Sequence, residues 1–181
     1  MAVAALAAGA ILCASSPAAA QGRVVEVKGY LHGSNETPPV APATGAFGLV
    51  TCSVEVDAQV ATCRASFWNV PGGIIASHFH AGQNGANGPV VCDATPQTPT
   101  QASNDGSYVW TCNESVFRPN SSAGVRSMGD LMESLVSGGL YFNIHTNERP
   151  GGEIRGQVCP VLGPGEHNPL TGAELCSYPK Q

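Results

Sequence analysis

Apolar and polar residues alternate with period two along most of this chain, and the alternation predicts strands. From Arg23 to Gly33, Val25, Val27 and Leu31 fall on one face and Glu26, Lys28, Tyr30 and His32 on the other, the pattern of a half-buried strand. Residues 46–56 and 59–69 repeat it around Asp57-Ala58, which predicts a hairpin with a two-residue turn. ASHFHA (76–81) is a short strand ended by GQNGANG, PVVCD (89–93) starts another, and SYVWTC (107–112) follows a polar, proline-containing loop over 94–106. LYFNIHT (140–146) puts Leu140, Phe142 and Ile144 on one face and Tyr141, Asn143 and His145 on the other. The tight turn NERPGG then leads into EIRGQVC (153–159), with Ile154 and Val158 inward and Glu153, Arg155 and Gln157 outward. These last two strands read as a terminal hairpin.

One segment changes period. In SMGDLMESLVSGG, Met128, Leu131, Met132 and Leu135 recur at helical spacing, with Ser127 three residues before Asp130 and Gly138-Gly139 at the end, so it carries both a helix start and a stop. The stretch SNETPPVAPATG (34–45) is proline-rich, and no regular element is expected to persist there. Many short strands and one helix predict a mainly antiparallel β-sandwich or barrel, the helix covering one end or linking two strands.

Composition adds compartment and excludes partners. Charged residues make up 12% of the 181 and the formal net charge is −5; with no Lys/Arg cluster, nucleic acid is not an expected partner. The first 20 residues form an apolar run closing on Ala18-x-Ala20, which predicts a signal peptide over 1–20, no mature membrane span, and a secreted, extracellular or periplasmic protein. No basic residue precedes the run, since the first arginine is Arg23. Leu12 before Cys13 suits lipoprotein processing poorly. Beyond Cys13 six cysteines remain, an even number that suits three disulfides in an oxidising compartment. The hairpin register places Cys52 opposite Cys63, close enough to bond. Sequence order then suggests Cys92–Cys112 and Cys159–Cys176. Free thiols or a zinc–thiolate cluster are the alternatives, and the absence of any C-x-x-C pair weakens the second. Sequons stand at Asn35, Asn113 and Asn120.

Two of the five histidines lie two apart. Side chains at i and i+2 of a strand share a face, so His78 and His80 converge while Phe79 points the other way. His145 also sits opposite its strand's apolar stripe. Three convergent imidazoles without a thiolate suit copper, iron or zinc. The alternative is a solvated or hydrogen-bonded histidine pair. Asn143 shares the face of His145, and Glu36 and Glu153 are candidates to support the ligands. Arg155 could attract a small anion to an open metal. His32 and His167 are weaker candidates.

GYLHGSNETPPV, ASHFHAGQNGANGPVV and LYFNIHTNERPGGEIRGQV resemble, in this order, the landmarks of the CHRD domain, from about Val24 to Val158. The matching positions include Asn35, Glu36, Pro38, Pro39, His78, His80, Gly88, Tyr141, Asn143, His145, Thr146, Gly152, Glu153, Arg155 and Gly156. The resemblance implies an all-β extracellular domain over 23–160 and an irregular tail over 161–181. In chordin such domains belong to an antagonist of secreted growth factors, but chordin's cysteine-rich modules are missing here, so that activity is not expected.

Three functions compete. The first is a copper centre, superoxide dismutase-like by analogy alone, with superoxide as the small anion and Asn143 and Arg155 as catalytic helpers. The second is a non-catalytic extracellular binding or structural module whose histidines form a polar network. The third is a zinc hydrolase with Glu36 or Glu153 as base.

Overall fold

A computed structural model describes residues 22–98 and 103–161. The predicted signal peptide, Cys176 and nearly all of the predicted tail lie outside these residues. Among the described residues eight strands form one sheet: β1 (Val24–His32), β2 (Phe47–Glu55), β3 (Val60–Trp68), β4 (Ile74–Ala81), β5 (Val90–Asp93), β6 (Gly106–Cys112), β7 (Leu140–Thr146) and β8 (Ile154–Pro160). Their order is β5-β4-β7-β8-β1-β2-β3-β6, with antiparallel pairing throughout. The sheet curls into a nearly closed barrel. Its two edge strands, β5 and β6, are joined by the Cys92–Cys112 disulfide. The Gln97 side chain also donates to and accepts from the Thr111 backbone at 2.9 Å each way, occupying the free edge of β6 as a strand would.

The β2–β3 hairpin has the expected register. Cys52 pairs with Cys63 and is bonded to it, and the Gln59 N–H donates to the Val56 carbonyl across Asp57-Ala58. Cys159 is disulfide-bonded as well. Inside the barrel lie Leu31, Val50, Phe67, Phe79, Trp110, Phe142 and Ile154, each no more than 1% exposed. Phe79 meets Phe142 edge-on, and Trp110 stacks on Phe142 with ring centres 5.7 Å apart. The helix α1 (Met128–Val136) starts where Ser127 accepts from the Asp130 N–H, and Gly138 takes a left-handed φ of 74° just past its end. Met128, Leu131, Met132 and Leu135 are all buried while Glu133 is exposed, so the helix packs on the core by one face. No helix among the described residues is long and apolar enough to cross a membrane.

The main departure from the sequence pattern is on the polar face of β7 and β8. Every residue of β7 is buried, and Glu153 and Arg155, expected outward, are 0% and 2% exposed. The proline-rich segment is the cause. It opens with a 3-10 turn (Gly33–Asn35) and folds back over that face instead of extending into solvent. Arg155 holds it there: Nε donates to the Asn35 carbonyl (2.6 Å), Nη2 to Thr37 Oγ1 (2.5 Å) and Nη1 to Asn87 of the β4–β5 loop (2.8 Å). Glu153 accepts from Thr44 at 2.6 Å and from Thr146 at 3.2 Å, with Arg149 at 3.6 Å. Alternation registers which side chains share a face, but not whether a distant loop covers it.

Candidate metal centre

β4 and β7 are neighbours, with His78 opposite Asn143 and His80 opposite Tyr141. That register brings His145 beside the β4 pair. One nitrogen from each of His78, His80 and His145 falls within 4.8 Å of the others. His78 and His80 are half-buried and His145 is 9% exposed, so the cluster sits in a wall that still reaches solvent.

Hydrogen bonds fix two of the three tautomers. His80 Nδ1 lies 2.9 Å from the Gly88 carbonyl, and His145 Nδ1 lies 2.9 Å from the Pro150 carbonyl. A carbonyl only accepts, so both Nδ1 atoms carry the proton and both Nε2 atoms are left as lone pairs. His80 Nε2 is buried with no partner among the described residues. His78 is held differently. Its Nδ1 lies 3.1 Å from His145 Nε2, while its Nε2 lies 3.2 Å from Thr95 Oγ1 and 3.7 Å from Asp93 Oδ1. Without a cation, His78 Nδ1 donates to His145. With one between the rings, the proton belongs on Nε2, facing Asp93. A tetrahedral ion about 2.0–2.1 Å from each imidazole nitrogen needs donors roughly 3.3 Å apart, and the His78–His145 pair already meets that.

Electrostatics keep the rings neutral, the form that coordinates. Burial holds His78 down to about 4, and His145 and His80 push it the same way against Asp93. Burial also lowers His80, opposed by its bond to Gly88 and aided by His145 and Arg155. His145 is lowered by burial against its bond to Pro150. For Asp93, desolvation favours the acid, but the Thr95 bonds, His78 and Arg118 outweigh it and hold the carboxyl below its ordinary range.

The supporting groups divide. Tyr141 lies parallel to the His80 ring at 4.8 Å, and the Arg155 guanidinium sits 4.5 Å from the same phenol, so two flanking strands grip one aromatic ring. The Tyr141 hydroxyl accepts from the Gly88 N–H at 3.2 Å, tying that ring to the loop that holds His80. Asn143 donates to both oxygens of Glu36, at 3.1 and 3.2 Å, and its own Oδ1 is buried without a partner among the described residues. Burial pushes the Glu36 carboxyl up to about 7, against Arg155 and the Asn143 bond and with help from Glu153. Gly152 makes room for it: at φ 135° a Cβ there would lie 2.8 Å from the Glu36 carboxyl atoms. Glu36 therefore adjoins the histidine face through Asn143, whereas the partners of Glu153 are Thr44, Thr146 and Arg149. His32 lies away from the cluster, stacked on Phe47, and His167 lies outside the described residues.

Asp93 and Thr95 were missed from sequence. Asp93 pairs directly with His78, and folding GQNGANG into a hairpin loop would have pointed to it. The carbonyls of Gly88 and Pro150 carry no sequence signal, because every residue has one. A family model described as CHRD domain matches residues 28–158. No curated protein and no solved structure matches.

Proposed function

The chain belongs to the CHRD domain family, and from that premise we propose that this disulfide-stapled, extracellular-type module binds one transition-metal ion between β4 and β7, copper ahead of iron or zinc. His78 Nδ1, His80 Nε2 and His145 Nε2 are the donors. The observation that carries the reading is His80 Nε2, a buried lone pair with no partner among the described residues, beside two more ring nitrogens whose tautomers can all present lone pairs. A buried acceptor left unmade costs about 1–3 kcal/mol, and a cation would satisfy it.

A bound copper ion would supply one-electron redox chemistry, with a small anion such as superoxide as substrate. The chain's own residues set the surroundings. Arg155, fully engaged by the loops, contributes a fixed positive charge that favours an anion near His80. Asn143 Oδ1, on the same face, is free to accept a hydrogen bond from a small protonated ligand. Glu36 carries a proton that exchanges near neutral pH. The test is elemental analysis of tag-free protein loaded separately with copper, iron and zinc, followed by superoxide consumption. About one ion per chain, lost in His80→Ala and His145→Ala, supports the centre, and histidine-dependent consumption supports its redox use. Substoichiometric metal in all three preparations rejects the centre.

A second reading rests on the His78–His145 contact. Thr95 to His78 to His145 to Pro150 can run as one metal-free hydrogen-bond chain, which would make the histidines a latch between strands in a non-catalytic module. It requires His145→Ala to lower thermal stability in the presence of a chelator by as much as in its absence.

A further inference from the structure

Of the three sequons, two share one arrangement and the third does not. At Asn113, Oδ1 accepts from the Ser115 hydroxyl at 2.6 Å and the Ser115 N–H at 3.0 Å. At Asn120, Oδ1 accepts from the Ser122 hydroxyl at 2.7 Å and the Ala123 N–H at 3.0 Å. Both residues lie in the loop between β6 and α1, and both are half-exposed. Neither Nδ2 donates to a protein acceptor among the described residues, and neither is a buried unpartnered atom. Each amide thus uses its oxygen to hold the turn and leaves its nitrogen to solvent. A sugar on Nδ2 replaces one N–H and leaves every one of those bonds in place.

Asn35 is built the other way round. Its Nδ2 donates to the Arg155 carbonyl at 3.0 Å, its own carbonyl accepts from Arg155 Nε, and the sequon hydroxyl of Thr37 accepts from Arg155 Nη2. The whole triplet is the clamp that holds the proline-rich segment over the β7–β8 face. A glycan on Asn35 would have to lie where Arg155 and Asn87 now meet the loop.

We propose that Asn113 and Asn120 are N-glycosylation sites of the folded, exported protein and that Asn35 is not. In the transfer, Asn Nδ2 attacks the anomeric carbon of a lipid-pyrophosphate-linked oligosaccharide. The C–N bond forms as the C–O bond to pyrophosphate breaks, and the amide proton and the lipid pyrophosphate leave. The compartment that performs this transfer is also oxidising, which agrees with the disulfides.

The full chain would be secreted from a eukaryotic host and the medium fraction treated with peptide-N-glycosidase in heavy-oxygen water, so that each released site becomes a labelled aspartate. Label is expected at Asn113 and Asn120 and not at Asn35. Asn113→Gln and Asn120→Gln should each remove one glycan from the intact mass, as should Ser115→Ala and Ser122→Ala, while Ser115→Thr and Ser122→Thr should keep it. Secreted protein with no sugar at Asn113 or Asn120, or with sugar at Asn35, would overturn the assignment.

Discussion

Replacing Glu36 by glutamine should stabilise the protein above neutral pH. Glu36 is 7% exposed, its carboxyl is hydrogen-bonded among the described residues by one Asn143 amide nitrogen, and it titrates near 7 in the folded chain against 4.5 as its ordinary value. A folded value raised above the unfolded one means that stability is complete below pH 4.5 and is lost as pH rises through 7. Over about 2.5 pH units at about 1.36 kcal/mol each, the loss approaches ~3 kcal/mol by pH 8. Glutamine has the same shape, carries no charge, can still accept from Asn143 Nδ2, and could donate to the unpartnered Asn143 Oδ1. The assay is urea denaturation of wild type and Glu36→Gln from pH 4 to 8 with a chelator present. Histidine protonation acts on both proteins and cancels in the difference. The variant should match wild type near pH 4, gain steadily between about pH 5 and 7, and level off about 3 kcal/mol ahead by pH 8. A difference independent of pH, or a variant less stable at pH 8, would refute the burial of an ionising carboxyl at this position. A carboxyl retained at such a cost beside a candidate centre is what a functional group looks like energetically.

Three other outcomes follow from the same structure. Asp93→Asn should weaken copper binding by about 10–100-fold, the usual penalty for losing the carboxylate behind a ligating imidazole, measured by competition with a chromogenic chelator; unchanged affinity would mean that His78 is not oriented from Nε2. Between pH 7.5 and 5, His78 should contribute a factor of only about 1.1 to the fall in metal affinity rather than the roughly 30 of an imidazole at 6.5, so a total fall beyond about 1000-fold would contradict the neutral rings. Exchanging Cys92 and Cys112 for serine should cost about 3 kcal/mol for the loop they close and raise amide exchange at both sheet edges; a Cys52/Cys63 pair of serines, between strands already hydrogen-bonded, should leave those edges protected.

Much of the site was legible because it is strand-encoded. His78 and His80 share a face by period two, and the apolar stripe of β7 alone puts His145 on the polar side. Their meeting required β4 to pair with β7, which are separated in sequence by β5, β6 and α1, and nothing local specifies that partner. Alternation places Glu153 and Arg155 outward because it describes one strand at a time. Their burial depends on a loop that leaves β1 more than a hundred residues earlier and is held by Arg155 itself.

The sequence by itself determined the strands, the helix with its cap and stop, the Cys52–Cys63 register and the identity of the three imidazoles, because each is a short-range pattern of polarity or spacing. Tertiary structure alone decided which β face became dry and that His145 came to lie beside His78 and His80. Those outcomes depend on contacts between segments far apart in the chain, where the energy of a match belongs to two surfaces and is written in neither one.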